Sequence, residues 1–314
     1  MSSRERNTGL LMALAGFAAL SGGDAVIKSI AGEWPGTAVA ALRYSIGALG
    51  LGVLLWVREG RAAFNMPMPK MQLIRGVSVA VATMCFFSAI FLMPLAEATA
   101  IVFTSPIITA ILSAVILKER VGKATWIACA VAFVGVLVIM RPNIALLGTA
   151  ALLPLIAATC MSFLMMANRA VAGGGSPLQM QFLIAVIAAP VLLISAFAGQ
   201  MSGIPALAVP MPDWTVVIRC MLVAVTATCS HWLVYLATTK ATAADIAPMT
   251  YVQLPTAMLL GILLFQDWPD ALALVGFAVI IAAGLYLWHA GRMPQATSVD
   301  VALKPPRPPV QPTP

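Results

Sequence analysis

Ten apolar runs, each about long enough to cross a lipid bilayer, follow one another along this chain and leave little room for anything else. They fall at about 9–30, 35–57, 73–92, 97–117, 123–140, 146–168, 177–198, 214–237, 243–265 and 270–289. A hydrocarbon core of about 30 Å takes about 20 apolar residues in a helix. The runs therefore predict an all-α, polytopic membrane protein with ten transmembrane helices. Only Met93-Pro94-Leu95-Ala96 separates the third run from the fourth. Charged residues make up 9% of the 314 positions, against about 25% in soluble domains, which excludes a soluble globular fold.

The basic residues give the orientation. With the N-terminus cytoplasmic, fourteen of the 18 Lys and Arg lie on the inner side, and Arg141 alone lies in an outer loop. The other three, Lys28, Arg43 and Arg219, stand within runs. That asymmetry is the positive-inside rule, with both termini cytoplasmic. The net charge of +7 is thus topological, and nucleic acid is excluded as a partner. The first run carries Asp24 and Lys28 and no small-residue cleavage site, so it is expected to stay in the membrane as a helix. Cys85, Cys129, Cys160, Cys220 and Cys229 all lie inside runs. No pair has zinc-like spacing, so neither a disulfide framework nor a metal or other cofactor is expected. Residues 291–314 are Pro-rich and aperiodic and read as a disordered cytoplasmic tail.

An internal repeat narrows the function. Arg75–Cys85 aligns with Arg219–Cys229 at five of eleven positions, and Pro106 precedes Gly135 by the same 29 residues that separate Pro255 from Gly284. The chain divides into a cytoplasmic N-terminus (1–8), a five-helix unit (9–140), a second such unit (141–290) and the tail (291–314). Five is odd, so the second unit enters the membrane inverted. Lys118-Glu119-Arg120-Val-Gly-Lys123 after the fourth run is matched by Gln266-Asp267-Trp268-Pro269-Asp270 after the ninth, which has no basic residue. Equivalent loops in opposite compartments differ in this way. Two inverted halves can exchange conformations about a central site, which is the architecture of alternating access.

Lys28 in the first helix, Pro35 and Arg43 in the second, Ser105-Pro106 in the fourth, Glu119-Arg120 after it and Gly135 in the fifth resemble the drug/metabolite transporter superfamily. Within it the chain is similar to ten-helix EamA-type exporters, and among these to YddG-type bacterial amino-acid exporters. The second unit departs from the pattern: it offers Asp267 in a shortened loop where the family keeps a Glu. The resemblance implies a multi-pass protein of the bacterial inner membrane, exporting small metabolites, with amino acids first among them. Drugs or other metabolites are the alternative cargo. No Walker phosphate loop occurs, so the fuel is not ATP bound by this chain. A polytopic membrane enzyme is the reading from another class. It would need a catalytic constellation, and neither HExxH nor GxSxG is present, so no catalytic residues are expected.

Ionisable groups inside a membrane are functional candidates by default. Asp24 and Lys28 are four apart on one helix face and can pair, and Arg43 lies about 12 Å inside the second helix. The three either form a buried ion cluster or line a substrate pathway, where a cation can meet the carboxylate of a zwitterion. Arg75 and Arg219, near helix starts, are expected to anchor at the headgroups. Glu97 and Asp245 are expected to cap helix starts. His231 suits proton coupling, because it titrates near neutrality, and equally suits neutral packing. Tyr44, His231, Trp232, Tyr251 and Gln253 are candidate cavity-lining groups. Pro106, Pro255, Gly135 and Gly284 are candidate hinges, since matched interruptions in both halves mark the transport site.

Overall fold

The computed structural model describes residues 3–116, 126–127, 130–139, 148–171, 173–238, 240 and 247–292. Eleven α-helices carry the described chain: α1 (Ser3–Lys28), α2 (Gly36–Glu59), α3 (Pro69–Leu92), α4 (Leu95–Val102), α5 (Ser105–Ile116), α6 (Ala130–Ile139), α7 (Leu153–Ala170), α8 (Pro177–Met201), α9 (Trp214–Thr238), α10 (Gln253–Phe265) and α11 (Ala271–Arg292). Six segments have the length and apolarity of a full span, and four shorter apolar segments supply the rest. Together they match the ten runs. The fourth run is broken into α4 and α5. The Lys118–Lys123 loop, Arg141, Asp245 and the Pro-rich tail lie outside the described residues.

Local chemistry sets the helix ends. Pro177 opens α8 at a position that needs no N–H donor, and Ser176 caps it by accepting from Gln179 N at 3.0 Å. The narrow gap after α3 is real: Leu92 ends one helix and Leu95 starts the next. Leu49, Val53 and Val57 of α2, four residues apart, are each at least two-thirds exposed. Such an apolar stripe is stable only against lipid.

Packing comes in matched couples, as two inverted five-helix units require. α3 packs on α7, and its counterpart α9 packs on α1; α3 meets α8 as α9 meets α2; α5 meets α7 as α10 meets α1. The self-matched pairs are α2 with α8 and α4 with α10. One apolar core lies among α1, α2, α3, α8 and α9, around Ile27, Val39, Phe87, Leu192 and Val223. A second joins α4, α6, α10 and α11 around Ile101, Ile139, Leu254 and Ile280. Each core thus takes helices from both units, so neither unit completes a core alone.

The bundle has two ends. Lys28, Trp34, Met93, Pro210 and Asp267 meet at the first, where the Trp34 indole N–H donates to the Pro210 carbonyl at 2.8 Å. Glu59, Asn65, Ser176 and Gln179 meet at the second.

Candidate functional site

α1, α2 and α9 enclose a small cavity of about 10 Å³, room for about one water, lined by Leu20, Gly23, Asp24, Arg43, Val223 and Ala227. It holds opposite charges on facing walls. Asp24 and Arg43 border the same space, yet no ion pair joins them among the described residues. The Arg43 guanidinium instead lies over the rings of Tyr44, at 5.2 Å, and Phe87, at 5.4 Å. Cation–π contact of this kind steadies a cation while leaving its N–H donors free. Tyr44 is itself fixed, its hydroxyl 3.1 Å from Thr83 Oγ1 on α3. The result is one carboxylate and one guanidinium held apart across a small opening.

Val223, Ala227 and His231 follow at intervals of four on α9, so the cavity's wall continues one turn to His231. His231 is exposed, and it lies within electrostatic reach of Arg43. Trp232, the next residue, is also exposed. Neither borders the Asp24–Arg43 cavity itself.

Lys28 does not join Asp24. As the last residue of α1 it runs beyond the helix end, where its Nζ reaches Asp267 Oδ2 at 2.5 Å and donates to the Met93 carbonyl at 3.0 Å. The expected three-member cluster is therefore divided between the cavity and the first end. Asp267 is placed by the end of α10: Gln266 takes a left-handed conformation (φ 58°), and the Asp267 N–H returns to the Gly261 carbonyl at 3.1 Å. Lys28 also faces the Phe265 ring at 5.2 Å. Asp267, noted in the sequence only as a departure from the family pattern, is thus the partner of a half-buried cation. A second ion pair lies beside it. Arg219 donates from both terminal nitrogens to the Glu33 carboxylate and to the Ser29 carbonyl at 2.8 Å. The Arg219 hydrogen bond draws the Glu33 carboxyl below its ordinary range.

Arg75 departs from expectation. Its side chain is buried (4% exposed), donating to Asn168 Oδ1 at 2.6 Å and to Gln72 Oε1, instead of reaching outward to headgroups. Glu97 lies buried in the first turn of α4, whose N-cap is Pro94.

The prolines stand where spans are interrupted. Pro106 is the second residue of α5, after the turn Phe103-Thr104, and Pro255 the third of α10, after a 3₁₀ stretch from Ala247 to Val252. Each is in a first turn, where the absent N–H costs nothing. A feature invisible in the sequence accompanies both breaks. The Ser162 hydroxyl of α7 donates to the Ser105 carbonyl at 2.8 Å, and the Ser21 hydroxyl of α1 donates to the Gln253 carbonyl at 3.1 Å. Each repeat's first helix thus ties the broken fourth span of the other.

Gly135 and Gly284 are both close-packing sites. A Cβ on Gly135 would come within 2.9 Å of Ile280 and 3.1 Å of the Gly276 carbonyl, where α6 crosses α11. One on Gly284 would overlap the phenol of Tyr251, whose ring packs on Phe103 with centroids 5.6 Å apart. Tyr251 therefore packs between helices, and Gln253 contributes its backbone carbonyl.

Comparison with known proteins agrees with this architecture. Residues 7–141 match the EamA-like transporter family. A riboflavin transporter of Rhizobium johnstonii is 27% identical over 230 residues, covering 73% of this chain and 74% of that one. The pseudopaline exporter CntI of Pseudomonas aeruginosa is 30% identical over 135 residues, 43% of this chain and 47% of its own length. A crystal structure superposes with a TM-score of 0.60 at 17% identity, covering 92% of this chain and 99% of that one, which supports the fold alone. Riboflavin and pseudopaline are the cargoes in these names, so the matches support a membrane transporter without specifying amino acids. The likeness to EamA-type drug/metabolite transporters expected from the sequence therefore holds, carried by residues 7–141 for the family and by 73% of the chain for the riboflavin-transporter relative.

Proposed function

We propose that this chain is a secondary transporter of the bacterial inner membrane, exporting a small zwitterionic metabolite by alternating access, with amino acids the first class to test. The single observation that carries this reading is the facing but unjoined pair Asp24 and Arg43, in a cavity between helices of both repeats. Once the halves rock apart and widen this space, a zwitterion offers a carboxylate to Arg43 and an ammonium to Asp24, completing both charges at once. Charge-assisted hydrogen bonds of this kind contribute about 1.5–3 kcal/mol each. The reading takes both termini as cytoplasmic and the Lys28–Asp267 end as outer, on the strength of the basic-residue asymmetry. In it, the Lys28–Asp267 and Arg219–Glu33 latches close the outer end, and the matched breaks at Pro106 and Pro255 allow the halves to rock. His231, beside the cavity and near Arg43, is the candidate for proton coupling. A transporter is preferred over a membrane enzyme because the paired charges occur within an inverted repeat.

The test is counterflow in liposomes holding the purified protein. Vesicles preloaded with an unlabelled amino-acid mixture should accumulate labelled amino acids. Uptake of labelled riboflavin but of no amino acid would retain transport and remove the zwitterion. No exchange of either would remove the reading.

A further inference from the structure

We propose that Arg75 forms the base of a binding site for an anionic oxo group, a phosphate or carboxylate, at the second end of the bundle. Its burial and its partners carry the argument. A buried guanidinium is costly unless an anion compensates it. Arg75 is 4% exposed, and its partners among the described residues are all neutral: Asn168 Oδ1, Gln72 Oε1 and Met180 Sδ, the last at 3.4 Å.

The inverted repeat shows what is missing. Arg75 on α3 corresponds to Arg219 on α9, and each helix packs on the first helix of the other repeat. At the first end, the turn between α1 and α2 supplies Glu33, which takes both terminal nitrogens of Arg219. At the second end, the matching turn between α7 and α8 reads Val171-Ala-Gly-Gly-Gly-Ser176 and contains no acid. Glycines stand where the carboxylate would be.

Arg75 Nη2 has no hydrogen bond among the described residues. It is not among the fully enclosed side-chain atoms without a partner, of which Thr37 Oγ1 is the one among the described residues. Arg75 stands six residues into α3, about 9 Å along the helix, near the border between hydrocarbon and headgroups. A phospholipid phosphate reaches this depth from the membrane, and a free anion reaches it from water. The inference does not rest on the transport reading.

The full chain, delipidated in a neutral detergent, is unfolded thermally at constant ionic strength. Phosphatidylglycerol, phosphatidylcholine and inorganic phosphate are added in separate series. A saturable rise of about 5 °C is expected with an anionic addition near a hundredfold excess over its dissociation constant, and none with phosphatidylcholine. A response to phosphatidylglycerol alone assigns a lipid headgroup, and a response to inorganic phosphate assigns a free anion. Asn168→Asp places a carboxylate on Arg75 Nε and should melt near the anion-saturated wild type, with its response lost. Arg75→Gln should also lose the response; if it does not fold, Asn168→Asp decides. A wild type unmoved by both anions, an equal response to phosphatidylcholine, or an undiminished response in Asn168→Asp overturns the proposal.

Discussion

Lys28 Nζ lies 2.5 Å from the Asp267 carboxylate and 3.0 Å from the Met93 carbonyl, so one ammonium joins the end of α1, the α3–α4 turn and the α10–α11 loop. Three chain segments from both repeats converge on it. If this is the outer latch of a transporter, it must open once in every cycle.

Lys28→Cys and Asp267→Cys, bridged by a short thiol crosslinker, should therefore stop transport, and a cleavable linker should restore it on reduction. The uncrosslinked pair should fold and move substrate, because both charges of this largely buried pair are removed together and neither is left stranded. Flux is measured before and after cleavage. Undiminished flux in the crosslinked protein would mean that this contact stays closed throughout transport.

The second latch predicts a pH dependence. Arg219 holds the Glu33 carboxyl below its ordinary range, so the folded state binds that proton less readily than the unfolded chain does. Its contribution is present above the ordinary Glu pKa of about 4.3 and is lost as pH falls through the lowered folded value. The melting temperature of the wild type should fall over that acidic window more than that of Glu33→Gln. Parallel curves would show that the pair adds no stability.

The matched breaks give a third expectation. Ser21→Ala and Ser162→Ala each remove a hydroxyl–carbonyl tie between repeats and should cost about 0.5–1 kcal/mol, additively, in chemical unfolding. Pro106→Ala and Pro255→Ala should leave the protein inserted and folded while slowing transport several-fold. Wild-type rates in both proline variants would assign the breaks to folding alone.

Much of the architecture was legible because lipid allows so few backbone solutions. Run length located the spans, and the repeat matched the helices of the two units, while the packing between them is read from the structure. Side-chain direction was less legible. The i, i+4 spacing of Asp24 and Lys28 suggested a pair, but Lys28 ends its helix and its flexible stem reaches Asp267. Arg75 and Arg219 align in the sequence, yet among the described residues only Arg219 meets a carboxylate, because the α1–α2 turn carries Glu33 where the α7–α8 turn carries glycines. Gly135 and Gly284, aligned as hinges, face Ile280 and Tyr251 at close range, a role that spacing does not encode. Ser21 and Ser162 carried no signal at all, since a lone hydroxyl in an apolar run has many local partners.

The central claim is that Asp24 and Arg43 hold the two charges of a transported zwitterion. Counterflow by wild type, Arg43→Gln and Asp24→Asn, each first shown to melt within about 2 °C of the others, tests it most directly. Since no ion pair joins the two residues, neither substitution should strand a partner, and each should lower substrate affinity by about tenfold or more. Wild-type affinity and rate in both variants, with folding intact, would contradict the account.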